Sequence, residues 1–166
     1  MRNNLLQATE IVWHYTKAEF LSAIEHSGEL QPKAESYSNK EGIKQGLHAS
    51  IVPLIWFSSD QQWEPLCVQL SAGLNRHGMT WQKLAAEQTA IRFGIPSNDP
   101  RLLDWKASCI VSSSNRGERR LMEKLVIKGK KAGADVNKWF TSPTPIPLKD
   151  LSFQVWWGGQ WMNHIR

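Results

Sequence analysis

Apolar residues come in short runs along this chain, separated by polar stretches, several of which carry glycine or proline. Residues 10–15, EIVWHY, are β-branched and aromatic, the composition of a short strand. Thr16 followed by Glu19 has the spacing of a capping box, and Phe20, Leu21 and Ile24 share a helical face, so a helix ending at Gly28 is expected. Residues 34–50 are polar and glycine-bearing and are expected to form a long mobile loop. A second strand is expected at 53–58, PLIWFS, leading into a turn closed by Pro65. Beyond it the pattern predicts a helix at 79–88 capped by Thr80, then a strand at 90–96 and a loop or single turn in SNDPRLLDW. A helix follows at 115–131, with Leu121, Met122, Leu125 and Val126 as its stripe and Gly133 as its stop. Strands at 138–142 and 151–157 flank the proline-rich PTPIPLKD, and Gly158-Gly159 turns a final hairpin. Many short strands with few helices make this an α+β chain.

Composition narrows the class. The 166 residues, 41% hydrophobic and 21% charged, fit one soluble domain spanning 1–166 with a core of its own. No apolar run reaches the roughly 20 residues that span a bilayer, so no membrane partner is expected. The start, MRNNLLQATE, lacks a secretory signal's apolar centre, which points to a cytoplasmic protein. Cys67 and Cys109 are too few for a disulfide framework or zinc site and read as reduced core thiols. His26, His48, His77 and His164 have no ligand spacing, so no metal is expected. The net charge of +5 favours an acidic partner. Nine tryptophans without a fixed period argue for one aromatic-rich core or cleft.

Three places carry candidate chemistry. His14, Tyr15 and Thr16 stand where a strand passes into a helix; His14 there is either a packed core residue or a ligand contact. IWFSSDQQWEP sets Trp56, Phe57, Ser58 and Glu64 around the end of a second strand, and Glu64 is either an exposed loop charge or a partner for a polar ligand. Arg92 lies inside an apolar strand, where it must reach solvent or an anion such as a pyrophosphate. Residues 116–131 hold seven basic residues (Arg116, Arg119, Arg120, Lys124, Lys128, Lys130 and Lys131) against Glu118 and Glu123. That stripe reads as a solvated face or as a surface for nucleic acid or an acidic protein.

WHYTKAEFLSAIEHSGELQP resembles the opening of the ADP-ribosyltransferase fold, in which a strand ends in His and a helix follows. IWFSS resembles that fold's second strand, and the element order resembles small bacterial and phage proteins with HYT…WFS…WEP signatures. The resemblance implies split antiparallel β-sheets with a few flanking helices. It further implies an NAD-dependent enzyme that modifies a protein or nucleic acid acceptor, of the kind used as a toxin or as a phage–host effector. His14 would hold a ribose with Tyr15 and Thr16 beside it, Trp56 and Phe57 would wall the nicotinamide pocket, and Ser58 would hydrogen-bond the ligand. The family places a glutamate on a late strand to stabilise an oxocarbenium-like transition state. KWFTS and SFQVWW contain none, and Gln154 is the nearest substitute by position. Glu64 is then the expected catalytic carboxylate beside His14, with Glu118 and Glu123 left as solvated charges pairing along the basic helix. Two other readings stand beside this one: an inactive inhibitor or adaptor on the same fold, working through its basic surface, and an NAD glycohydrolase toxin.

Overall fold

The computed structural model describes residues 9–32, 52–67, 80, 82–83, 85, 89–112 and 116–164. The expected loop at 34–50 lies outside them. Strand β1 (Ile11–Lys17) alternates, sending Val12 to one face of the sheet and Trp13 and Tyr15 to the other. It pairs antiparallel with β4 (Ala90–Pro96) along its whole length, Ile11 opposite Pro96 and Lys17 opposite Ala90. This pairing carries β1 past Tyr15, so Thr16 is a strand residue and caps nothing. The capping position falls to Lys17, whose side chain makes no cap bond, before a 3-10 turn (Ala18–Phe20) and helix α1 (Leu21–Ser27). As read from the sequence, α1 stops at Gly28 with φ 72°.

Strand β2 (Glu29–Leu30) pairs with β7 (Ile146–Pro147) in a small separate ribbon. The main sheet adds β3 (Ile55–Ser58), β5 (Leu103–Asp104), β6 (Trp139–Ser142), β8 (Ser152–Trp157) and β9 (Gln160–Asn163). Its seven strands run in the order β5-β6-β3-β1-β4-β8-β9, each paired antiparallel with its neighbours. The chain is thus α+β with a large antiparallel sheet. Gly158 and Gly159, at φ 59° and 89°, form the β8–β9 turn, whose backbone an ordinary side chain would resist.

One junction matters for the site. β1 and β3 pair at a single register position, Trp13 opposite Ser58, whereas β1–β4 and β3–β6 run as full ladders. The sheet is one body of seven strands whose halves, β5-β6-β3 and β1-β4-β8-β9, meet at that position.

The two faces differ in kind. One face buries Val12, Ile55, Phe57, Ile91, Phe93, Ile95 and Phe153 beneath Leu21 and Ile24 of α1 and the ribbon residues Leu30 and Ile146. The other is a layer of indoles. Helices α2 (Trp105–Ser112) and α3 (Arg116–Ala132) lie at its β6 end, where Met122, Leu125, Ala134 and Trp139 pack with Trp56 and Trp105. The expected stripe of α3 is seen in the buried Met122 and Leu125, with Val126 half-buried. Of the expected helix at 79–88, residues 82, 83 and 85 are helical, and the Lys83 N–H donates to the Thr80 hydroxyl at 3.4 Å.

Candidate functional site

The indole face splits into two aromatic groups. Near β8 and β9, Trp63 stacks on Trp161 with centroids 5.8 Å apart, and Tyr15 and Trp156 lean against the pair. Near β6, Trp56, Trp105 and Trp139 meet at 5.0 to 6.3 Å. Trp157 is 74% exposed, and Trp81 lies outside the described residues. A cavity of about 160 Å³ is lined from both groups: Trp13, His14 and Tyr15 of β1, Trp56, Phe57 and Ser58 of β3, Trp139 of β6, Leu125 of α3, and Glu64, Leu66 and Cys67. An apolar cavity of about 150 Å³ admits a benzene ring, so this space takes one planar ring and not a whole dinucleotide.

Register explains the gathering. Trp13, Ser58 and Trp139 lie abreast on β1, β3 and β6, and Trp56 and Tyr15 are two residues along on the same face. His14 alternates to the opposite face of the sheet, across from Phe93. Its ring lies 5.9 Å from Phe57, and its Nδ1 is 2.9 Å from the Trp56 carbonyl. A carbonyl only accepts, so Nδ1 carries the proton, and the imidazole bridges the two halves of the sheet where the backbone ladder stops.

Glu64 is buried at 5% exposure, which corrects the exposed-loop reading. Helical residues start at Pro65, and the Cys67 N–H donates to Glu64 Oε2 at 2.6 Å, the bond an N-cap side chain makes to the third helical residue. The Trp139 indole N–H donates to Oε1 at 3.0 Å. WEP is therefore a capping sequence, and the cap's carboxylate is held at the cavity wall from two directions.

The segment before Glu64 is gripped by the sheet. Three successive carbonyls each accept from a sheet side chain: Asp60 from the Tyr15 hydroxyl, Gln61 from Arg92 Nη1, and Gln62 from Trp161 Nε1 at 2.8 Å. Trp13 Nε1 adds a bond to Gln61 Oε1 at 2.9 Å, and Lys138 pairs with Asp60 at 2.6 Å. Ser58 Oγ accepts the Asp60 N–H at 3.1 Å.

Arg92 is 5% exposed, so the surface reading of this strand is corrected. Its guanidinium lies 3.9 Å from the centre of the Trp13 ring and 4.4 Å from that of Trp161, and its Nε donates to Gln154 Oε1 at 2.7 Å. Burial pulls the guanidinium down to about 10, so it remains charged at neutral pH. Burial likewise holds the Tyr15 phenol far above its ordinary range, with Arg92 acting the other way, which keeps Tyr15 a neutral donor. Arg92 and Gln154 serve this internal network and do not line the cavity; neither does Thr16. Glu118 is buried at 5% exposure rather than solvated, while Glu123 is exposed. The sequence reading missed Trp13, Leu66, Cys67, Leu125 and Trp139; alternation with Tyr15 along β1 was the signal for the first.

The indole carrying Glu64 has no slack. A Cβ on Gly129 of α3 would fall 2.5 Å and 2.7 Å from Trp139 ring atoms. Gly129→Ala is therefore expected to destabilise the protein by about 1–2 kcal/mol, because overpacking at about 1–3 kcal/mol outweighs up to about 1 kcal/mol of helix propensity. The midpoint of urea unfolding measures it; an unchanged or raised midpoint would show that Trp139 yields freely.

Among the described residues no helix is long and apolar enough to cross a membrane, and no group of three or more His, Cys, Asp or Glu is placed to hold a metal ion. Cys67 and Cys109, both half-buried, form no disulfide. Comparison with protein-family models, curated proteins and solved structures finds no match to this chain.

Proposed function

We propose that the cavity receives the nicotinamide ring of NAD and that the protein transfers ADP-ribose to a macromolecular acceptor, on an ADP-ribosyltransferase-like fold. One observation carries the reading. Six of the eight residues expected to meet NAD, namely His14, Tyr15, Trp56, Phe57, Ser58 and Glu64, border one cavity of single-ring size, while Thr16 and Arg92 stand away from it. The fit is chemical as well: indole faces suit a flat ring, and a carboxylate in the wall suits positive charge.

NAD supplies a glycosidic bond whose cleavage frees nicotinamide and lets an acceptor nucleophile take ADP-ribose, with loss of a proton. Trp13 and Trp56 wall the ring, and the Trp56 carbonyl holds the His14 imidazole in one orientation at the cavity's edge, on the Phe57 side of the seam. Ser58 offers its hydroxyl, and Glu64, fixed by Trp139 and Cys67, opposes the charge that develops on the ribose. Arg92 makes no contact with the coenzyme in this scheme.

A second reading has its own support, since both Glu64 oxygens already accept protein hydrogen bonds. A carboxylate so engaged suits a protein that binds through this fold without turnover. Incubation with NAD labelled on its adenylate phosphate separates the readings. Release of nicotinamide with label entering macromolecules is the expected result. His14→Ala is expected to lower it about tenfold, the worth of one well-placed hydrogen bond. Free ADP-ribose alone would mean hydrolysis, and binding heat without nicotinamide would mean the inactive binder. Neither heat nor nicotinamide would end both NAD readings.

A further inference from the structure

We infer that the outer face of α3 is a phosphate-binding surface for nucleic acid. Met122, Leu125 and Gly129 turn inward, and Gly129 abuts the Trp139 ring. At 100° per residue the opposite arc belongs to Arg116, Arg119, Arg120, Glu123, Lys124, Ile127, Lys130 and Lys131. All eight are exposed. Six of them are cations and one is an anion, along a helix of about 26 Å. None of the six forms an ion pair among the described residues.

The character of the face selects the partner. Protein docking rests on a few buried aromatic or arginine anchors seated in pockets, ringed by apolar contact. This arc offers one apolar side chain, Ile127, and no aromatic ring. Backbone recognition of nucleic acid needs only mobile cations of one sign, and arginine forks match phosphate oxygens in pairs. Arg116, Arg120 and Lys124 follow one another at four-residue spacing, about 6 Å along the axis, and present a continuous row. The binding requires no coenzyme and stands or falls apart from the NAD reading. Should both hold, Leu125 of the same helix walls the cavity, and a bound strand lies about one helix diameter from it.

The test is fluorescence anisotropy of a labelled single-stranded oligonucleotide with the full chain, without NAD, over a range of salt concentrations. Four or five neutralised phosphates predict a log–log slope of about −3, from roughly −0.7 per phosphate. Arg120→Glu with Lys124→Glu, both at exposed positions, is expected to weaken binding at least tenfold at low salt and to flatten the slope. Unchanged circular dichroism of that variant ties the loss to charge. The inference is overturned by absence of binding at low salt, by a slope the double variant leaves alone, or by equal competition from polyglutamate of matched charge.

Discussion

Glu64→Gln is expected to lower the proposed ADP-ribose transfer by about 10²–10³-fold, the usual cost of removing one charge-stabilising group from a reaction centre. The same change should also cost stability. Both carboxylate oxygens accept from donors, Cys67 N–H and Trp139 N–H, and an amide has one oxygen for the two of them. A donor left facing a donor in a buried place costs about 1–3 kcal/mol. The two effects separate in the double variant Glu64→Gln with Trp139→Phe, which removes the conflicting indole N–H. Recovery of the unfolding midpoint without recovery of transfer would assign Glu64 to the chemistry. Recovery of both would leave it a helix cap.

Arg92→Met should destabilise the fold by about 2–4 kcal/mol in chemical denaturation. The guanidinium satisfies the Gln61 carbonyl and Gln154 Oε1, both part-buried, and each such acceptor left unsatisfied costs up to about 1–3 kcal/mol. Two indole faces add about 1 kcal/mol or more of cation–π attraction. Against this stands relief from burying a cation whose hydrogen-bond partners, among the described residues, are all neutral. Arg92→Lys keeps the charge and loses the fork, so it should fall between the two. A methionine variant as stable as the wild type would show that the three-carbonyl grip on residues 60–62 does not depend on its centre.

Much of the sheet was legible. AIRFGIP is an apolar run bounded by turn residues, and the structure places β4 at the residues expected. The hairpin at Gly158-Gly159 was plain for the same reason. Helix α2 was not, because its pattern is inverted: Ser108 and Ser112 face inward, while Ile110 and Val111 are 73% and 40% exposed. Ser108 bonds Thr141 across to β6, and no hydropathy rule anticipates that pair. The β2–β7 ribbon, two residues a side, has no period to read.

The site followed the same division. His14, Trp56, Ser58 and Glu64 drew notice as odd residues at element ends, and they converge. Trp139 escaped because its place depends on β6 lying beside β3, a pairing between positions more than eighty residues apart. Arg92 showed that something must balance a charge in a buried strand, but its neutral carbonyl and indole partners come from four other segments. Thr16 met the local rule for a cap, and the longer reach of β1 along β4 overrode it.

The seam between the two halves of the sheet has a mechanical consequence. A full ladder resists separation along its whole length, but among the described residues β1 and β3 themselves share one register pair and the His14 bond, and the remaining ties across the line are the side-chain bonds to residues 60–62. Walls on either side of that line belong to bodies that are each stiff. Spreading β1 from β3 breaks fewer backbone bonds than opening either flanking ladder, so a guest wedged there would be felt by both slabs at once.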